Sequence, residues 1–342
     1  MTPFEAILSI TVSRVFWFVF GVFGIGWVTH FFTVKTTADL QARVGPSRIG
    51  LRGAPQFWAD YVKELIKSST YQATKREFFV YAVGTLFVWI GFVLLPFPVV
   101  HLGESGSTLL IPDSPISALV PLVLILVYPL LELMTRFYHT EPSVWAALIR
   151  RVAQQTIALL PAIVSILSCG VWAGGLSWKN LGEVQGFAPY DWLVFRGVNV
   201  IGVVVYFVSV AVFCGYGAFG GFRSKGLSFI DQRHFRGGWG RVWEQLLDLT
   251  TEFILVAVGV YCFMGGDGVR SFALISGSAI SDAFTISLLF GFKITAIIYF
   301  LRVVSSVVPL LNGLQISQIC WRFLLPISFV CLAISGVFSI RL

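Results

Sequence analysis

Eight long apolar runs are the feature that most constrains the fold of this 342-residue chain. Each run is close to the roughly 20 residues that a helix needs to cross about 30 Å of hydrocarbon. The runs do not alternate as barrel strands do, and backbone groups in lipid must be paired internally. The sequence therefore predicts an all-α polytopic membrane protein, a single transmembrane domain over 1–342, with spans at 7–33, 78–101, 116–137, 145–173, 191–216, 242–264, 284–308 and 321–339.

The composition excludes several other classes of protein. Hydrophobic residues make up 56% of the chain and charged residues 12%, whereas about 25% of a soluble domain is charged. This rules out a soluble enzyme, a disordered chain, a collagen and a nucleic-acid binder. The five cysteines and four histidines are scattered and form no CxxC pair, so we expect no iron–sulfur cluster, metal site or disulfide framework in this chain.

The basic residues predict the orientation in the membrane. Of the 24 lysine and arginine residues, eighteen lie in or beside the loops after the first, third, fifth and seventh spans. The other loops have only Lys179, Arg270 and Arg196. Because positive residues are enriched in cytoplasmic loops, the odd loops are predicted to face the cytoplasm and both termini the opposite side.

The first odd loop, 34–77, is longer than a connector requires. It contains a compact turn, Gly45–Gly50, with Arg48 at its tip, and then the segment Pro55–Lys67. Phe57 and Tyr61 recur at helical spacing opposite a charged face, which predicts an amphipathic helix in the membrane interface. This helix could roof a site for an amphiphilic ligand, or it could be a passive interfacial anchor.

The fifth loop, 217–241, is rich in glycine and basic residues. Such a segment permits close approach and attracts acidic partners, so we expect a soluble subunit to dock on it. The alternative interpretation is a flexible basic tether.

Several ionisable residues fall inside the apolar runs, where they are costly and need a reason. Asp248 and Glu252 are one turn apart on the sixth span, with Glu244 a turn earlier, and Lys293 is near the middle of the seventh. These groups could form a proton path or structural ion pairs, and both interpretations stay open. The candidates for either role are Glu132, Asp248, Glu252 and Lys293, and Arg14 and Arg302 are also within spans.

Two motifs in the first loop resemble a known family. Arg43-Val-Gly-Pro-Ser-Arg-Ile-Gly50, followed by Ala59-Asp60-x-x-Lys63, is similar to the signature of the quinone-site membrane subunit of respiratory complex I, the NADH-quinone oxidoreductase. Weaker matches follow in order along nearly the whole chain: Leu148–Arg150, Ala153–Gln154, Ala173–Ser177, Asp248, Gly265–Gly266, Phe292–Lys293, Pro309, Gln315 and Trp321–Pro326.

The sequence also departs from the family pattern. Val34–Thr37 replaces a Glu-Arg-Arg-type segment, and Leu159 stands where the family has a buried glutamate. In the fifth loop Phe219 matches, but the acidic residues of the family motif are replaced by glycine and by Arg223 and Lys225. This replacement reverses the sign of the local field, so the chain is a divergent example of what it resembles.

The resemblance implies a role in an assembly. The chain would form a wall of the quinone chamber of an NADH-quinone oxidoreductase in a bacterial cytoplasmic membrane, and would link the soluble redox arm to the proton-translocating membrane arm. Partner subunits would hold the iron–sulfur clusters and flavin, quinone would bind at the interface with them, and this chain would have no catalytic residue of its own. The chamber or partner interface would include Arg43, Arg48, Trp58, Asp60, Lys63 and Phe219.

Two other functions compete with this one. The same fold could serve as a non-redox or hydrogenase-type membrane anchor, or as an ion-translocating subunit without quinone chemistry. An independent secondary transporter is disfavoured, because the two halves of the chain show no internal repeat and no paired broken helices.

Overall fold

A computed structural model gives the architecture of the chain. It describes residues 11–45, 53–66, 75–100, 105–108, 114–136, 142–186, 189–215, 239–266, 279–309 and 311–341. Residues 46–50 of the predicted Gly45–Gly50 turn and residues 217–238 of the predicted 217–241 loop lie outside this part of the chain.

Ten helices, two short 3₁₀ turns and one hairpin make up the regular structure of the described residues. The helices are α1 (Thr11–Leu40), α2 (Gln56–Ile66), α3 (Lys75–Val93), α4 (Val120–Arg136), α5 (Pro142–Ala173), α6 (Trp178–Val184), α7 (Asn199–Cys214), α8 (Trp239–Phe263), α9 (Ala279–Val307) and α10 (Gly313–Ile319, continued by Cys320–Leu324 and Leu325–Arg341). Strands β1 (Phe97–Val100) and β2 (Ser105–Thr108) pair antiparallel, with Phe97 opposite Thr108. The hairpin is a small addition to the predicted all-α fold.

Five of the helices are long and apolar enough to cross a membrane. These stretches are Thr11–Leu40, Val152–Ala173, Gln245–Phe263, Thr285–Val307 and Gly313–Ser339, and Ala82–Val93 and Asn199–Cys214 are shorter apolar helices. The prediction of a helical membrane protein is confirmed at this level. A helix occupies each of the eight predicted spans, and the number that cross the membrane stays a prediction.

Helix α8 forms the centre of the bundle. In its most apolar stretch 89% of the residues are buried inside the protein, compared with 22% in α10. It packs against the other long helices on several sides, including α1, α3, α7 and α9. A helix that is apolar all round and buried by protein is where an ionisable side chain most needs a partner.

Two predicted spans have different ends in the structure. The second was predicted to continue to residue 101, but α3 ends at Val93 and the hairpin begins at Phe97. Pro96 and Pro98 explain this end, because proline lacks the backbone donor that a helix needs and restricts the residue before it. The fifth was predicted from residue 191, but two short 3₁₀ turns, Pro189–Asp191 and Leu193–Phe195, precede α7.

The first helix is irregular in its middle. Residues Trp17–Ile25 are π-helical, and a regular α-helix continues from Gly26 to Leu40. Stretches of π-helix are rare and occur frequently at functional sites. This stretch faces α8, since a Cβ on Gly21 would lie 3.0 Å from the Phe253 ring.

Aromatic rings fill the space between this π-helical stretch, the end of α3 and the hairpin. Trp17 stacks on Phe97 with ring centroids 5.4 Å apart and meets Phe290 edge-on at the same distance. Phe97 also contacts Phe92 and Phe253, at 5.0 and 6.2 Å. We call these five residues the aromatic cluster. Arg14 lies beside it, with its guanidinium over the Phe97 ring and bonded to the Leu95 carbonyl.

Candidate functional site

A buried ion pair joins the central helix to α9. Arg302 donates from Nε to Oε1 of Glu252 at 2.9 Å and from Nη2 to Oε2 at 2.6 Å. The two side chains are 15% and 8% exposed. A third donor of the guanidinium, Nη1, lies 3.3 Å from Oγ1 of Thr29 on α1. The contact therefore connects three helices at one point.

This geometry is the strong form of an ion pair. The two parallel N–H···O bonds are bidentate, and charge-assisted bonds of this kind are about twice as strong as neutral ones. Because both side chains are largely buried, each charge depends on the other, and breaking a buried pair typically costs about 3–5 kcal/mol. The pair consequently fixes how α8 and α9 are rotated relative to each other.

A small cavity lies directly beside the pair. Its volume is about 10 Å³. The π-helical stretch contributes Gly21, Val22 and Ile25 to its wall, α8 contributes Glu252 and Phe253, and the remaining lining residues are Gly26, Thr29, Leu249, Ile298 and Arg302. The cavity is therefore polar at one end, where the ion pair is, and apolar at the other.

Helix α2 packs on α1 and α8 near this pair. Phe57 is its anchor: it is 6% exposed, and its ring lies 5.4 Å from that of His30 on α1. Trp27 Nε1 on α1 also donates to the carbonyl of Ala54 at 2.6 Å, just before α2 begins. These contacts hold α2 against the bundle.

The charges of Arg302 and Glu252 both influence the pKa of Tyr61 on α2. Burial raises the pKa of the Tyr61 hydroxyl, Arg302 opposes this shift, and Glu252 adds to it. The ring packs on Phe57 at 4.8 Å. The phenol therefore stays protonated at neutral pH.

The other predicted residues of this region lie on the outer side of α2 or at the end of α1. Trp58 is 43% exposed and stacks on Phe23 at 5.8 Å. Asp60 and Lys63 are exposed, and Asp60 accepts a 3.0 Å bond from Gln56. Arg43 is also exposed, just after α1 ends. Arg48 and Phe219 lie outside the described residues.

The predicted intramembrane residues are not all in one place. Asp248 is half-buried, one turn before Glu252 on the same face of α8. Glu132 is in the last turns of α4, and its side chain lies outside the described part of the chain. The side chain of Glu244 also lies outside the described part of the chain.

Lys293 lies at the far end of α8 from Asp248. Its amine donates to the Met264 carbonyl at 2.8 Å and approaches that of Gly266 at 3.5 Å, and it lies 4.5 Å from the centre of the Trp192 ring. Gly265 and Gly266 have positive φ, which lets the backbone turn there and offer these carbonyls. Met264 is twelve residues beyond Glu252, or about 18 Å along a helix axis. Lys293 therefore stabilises the carboxyl end of α8. The cation that forms the ion pair with Glu252 is Arg302.

Three residues of the site were missed by sequence reasoning. Thr29 and His30 have no unusual signal, because a threonine or a histidine in an apolar helix is ordinary, and Tyr61 was noted only as part of the aromatic face of α2. Arg302 was noted without its partner. Arg302 and Glu252 each lie within a predicted span. Because charges inside a membrane almost always pair, this could have suggested that the two residues are partners.

The fold and the site define a class: a multi-pass helical membrane protein with an ion pair buried between its helices and a short surface helix packed over it. The family model described as NADH dehydrogenase matches residues 12–220. This is more than half of the chain, and the chain belongs to that family.

Curated relatives extend the similarity over most of the chain. The H subunit of NADH-quinone oxidoreductase from Anaeromyxobacter dehalogenans is 23% identical, covering 90% of this chain and 76% of the relative. The protein of the same name from Chlorobium luteolum is 25% identical, covering 90% and 82%. The H subunit of F(420)H(2) dehydrogenase from Methanosarcina mazei is 23% identical, covering 97% and 94%.

Proposed function

We propose that this chain is the membrane subunit of a complex-I-type NADH-quinone oxidoreductase, where it forms a wall of the quinone chamber and links the soluble redox arm to the proton-translocating membrane arm. The observation that carries the proposal is the family match, which includes both α1 and α2. The relatives are named as subunits of oxidoreductases, which does not favour a non-redox or hydrogenase-type anchor.

The outer surface of α2 is the wall that we assign to quinone. Trp58, Val62 and Ile66 follow one another at four-residue spacing and are 43%, 52% and 78% exposed, so they share one apolar face. The cavity beside Glu252 has only about 10 Å³, whereas ligand pockets have roughly 300–1,000 Å³. That cavity is therefore too small for a quinone headgroup, which would bind instead where a partner subunit meets α2, and Arg43, Asp60 and Lys63 are exposed there.

This arrangement assigns different roles to the partner subunits and to this chain. Partner subunits would hold the flavin and the iron–sulfur clusters, with Arg48 and Phe219 in the loops that meet them. Glu252, with Asp248 on the same face, would belong to the proton path, and Glu132 and Lys293 would lie at its more distant parts. The electron donor is a property of the partners, since the relatives are named for both NADH and F420H2.

Quinone kinetics of the purified complex test the wall. Trp58→Ala should raise the KM for a soluble short-chain quinone, because a half-exposed indole is removed from the proposed contact surface. The matched control is Trp321→Ala, which removes an indole that is 61% exposed on α10. Equal KM values in the two variants would contradict the assignment of α2.

Chemical labelling tests the orientation. The variant Asp39→Cys, at an exposed position near the end of α1, should react with a membrane-impermeant maleimide only from the cytoplasmic side of inner-membrane vesicles. The variant Lys179→Cys, also at an exposed position, should react only from the opposite side. The described native cysteines are buried or half-buried, so their background should be small. The reverse pattern would refute the predicted topology.

A further inference from the structure

The cavity beside Glu252 and Arg302 has the size of one water molecule. A buried cavity needs about 10–15 Å³ of accessible volume to hold a water, together with two to four polar partners. The volume here is about 10 Å³, and the polar lining residues are Thr29, Glu252 and Arg302. The cavity therefore meets both conditions, the first of them at its lower limit.

The charges around the cavity decide what kind of occupant it takes. A bound cation would meet the Arg302 guanidinium, and a bound anion would meet the Glu252 carboxylate. Since the two charges are paired through both carboxylate oxygens, the site is close to neutral and favours an uncharged ligand. Water is the uncharged ligand of this size that can both donate and accept hydrogen bonds.

The carboxylate has room for such a ligand. An ionised carboxylate has about four acceptor positions, and Arg302 uses one on each oxygen. Thr29 Oγ1 donates to the Ile25 carbonyl at 2.7 Å and lies 3.3 Å from Arg302 Nη1. A water in the cavity would thus donate to Glu252 beside a hydroxyl that is already held in place.

We propose that this cavity is a binding site for one water molecule, and that this water is the proton-exchange partner of Glu252. An O–H bond of the water breaks as its proton passes to the carboxylate. A replacement proton from solvent then restores the water. The neutral carboxyl then holds Arg302 less strongly, and the water oxygen accepts a guanidinium bond in its place. This role in proton transfer rests on the proposed function, whereas the presence of the water does not.

Two glycines of α1 provide a matched pair of variants. Gly26 lines the cavity, and a Cβ there would lie 3.4 Å from Leu249, another lining residue, in ordinary contact. Gly24 does not line the cavity, and a Cβ there would meet Phe20 at 3.8 Å. Gly26→Ala therefore adds a methyl group at the wall of the cavity, and Gly24→Ala adds the same methyl group to the same helix away from the cavity.

The experiment uses the purified complex, with high-resolution cryo-electron microscopy for the water and vesicle assays for proton translocation per electron. The wild type and Gly24→Ala should show one water peak within hydrogen-bond distance of Glu252, and Gly26→Ala should show none. Loss of a positioned acid–base group slows proton transfer by roughly 10²-fold or more, so the proton-to-electron ratio of Gly26→Ala should approach the uncoupled value.

Each outcome bears on a different part of the inference. A dry cavity in the wild type overturns the water site. A water lost in Gly26→Ala with an unchanged ratio overturns its role in proton exchange. If Gly26→Ala does not assemble, Thr29→Val removes the neighbouring hydroxyl at nearly constant shape and should weaken the water peak and the ratio together; an unchanged peak and ratio overturn the proposal. If the wild-type complex reduces no quinone, the proposed function fails, and the water peak is still decisive for the site.

Discussion

Replacing Arg302 with methionine should be among the most damaging single changes in the membrane part of this chain. The substitution keeps much of the side-chain length but removes both bonds to Glu252 and the contact with Thr29. The carboxylate is then left buried and unpaired, which costs about 3–5 kcal/mol of unfolding free energy. Since about 1.4 kcal/mol is a tenfold change in an equilibrium constant, the unfolding equilibrium should shift by roughly 10²–10⁴-fold.

A double-mutant cycle separates the pair from the individual residues. The double variant Glu252→Met with Arg302→Met replaces both charges by apolar groups, which is often neutral or stabilising for a buried pair. We therefore expect the double variant to be more stable than either single variant. The measurement is the free energy of unfolding in mixed micelles titrated with dodecyl sulfate. Lys179→Met, at an exposed cation, is the control and should change stability by about 0.5 kcal/mol or less.

Two results would refute this reasoning. If Arg302→Met lowers the free energy of unfolding no more than the control does, the Glu252 charge does not depend on Arg302. If the double variant loses as much as the two single variants combined, the charges act independently and the bidentate contact has no energetic significance.

Three further predictions concern the same region and the far end of α8. Phe57→Ala should detach α2 and cost about 3–5 kcal/mol, seen as faster hydrogen exchange over 56–66, while Val62→Ala, at an exposed position, should not. Unfolding restores the ordinary Tyr61 pKa of 10.0 from its raised folded value, so the unfolded state ionises first, and stability present below pH 10 should fall as the pH rises above it. In the variant Tyr61→Phe, the free energy of unfolding should fall less as the pH rises above 10. Lys293→Met should loosen the carboxyl end of α8 by about 1 kcal/mol, measured as exchange of the Met264–Gly266 amides, while Lys179→Met leaves it unchanged.

The positions of the helices were predictable because apolar length is recorded directly in the sequence. Their ends were less so. Pro96 and Pro98 are visible in the sequence, but the apolar residues around them continue without a break, and a prediction based on composition therefore ran past the end of α3. The π-helical stretch had no visible signal, since it depends on how α1 packs against Phe253.

The sequence predicted which charged residues lie inside the bundle, but it did not predict which of them pair. Glu252 and Arg302 stand out because each is a charge inside an apolar run, but which partner each finds depends on the rotation of α8 and α9. Lys293 illustrates the same limit. Its place in the middle of a span suggested a carboxylate partner, whereas helical rise places it near the carbonyls that end α8. The predicted roles of Asp60 and Lys63 concern a partner surface and stay predictions.

The aromatic cluster has an electrical consequence for a protein in an energised membrane. A membrane voltage acts on each elementary charge with about 2.3 kcal/mol per 100 mV, and it falls most steeply where matter is dry and poorly polarisable. Trp17, Phe97 and Phe253 pack together as such a layer, and Phe253 also lines the cavity beside the ion pair. We therefore expect these rings to keep water away from the apolar end of the cavity, and a polar substitution among them should let more water reach the pair.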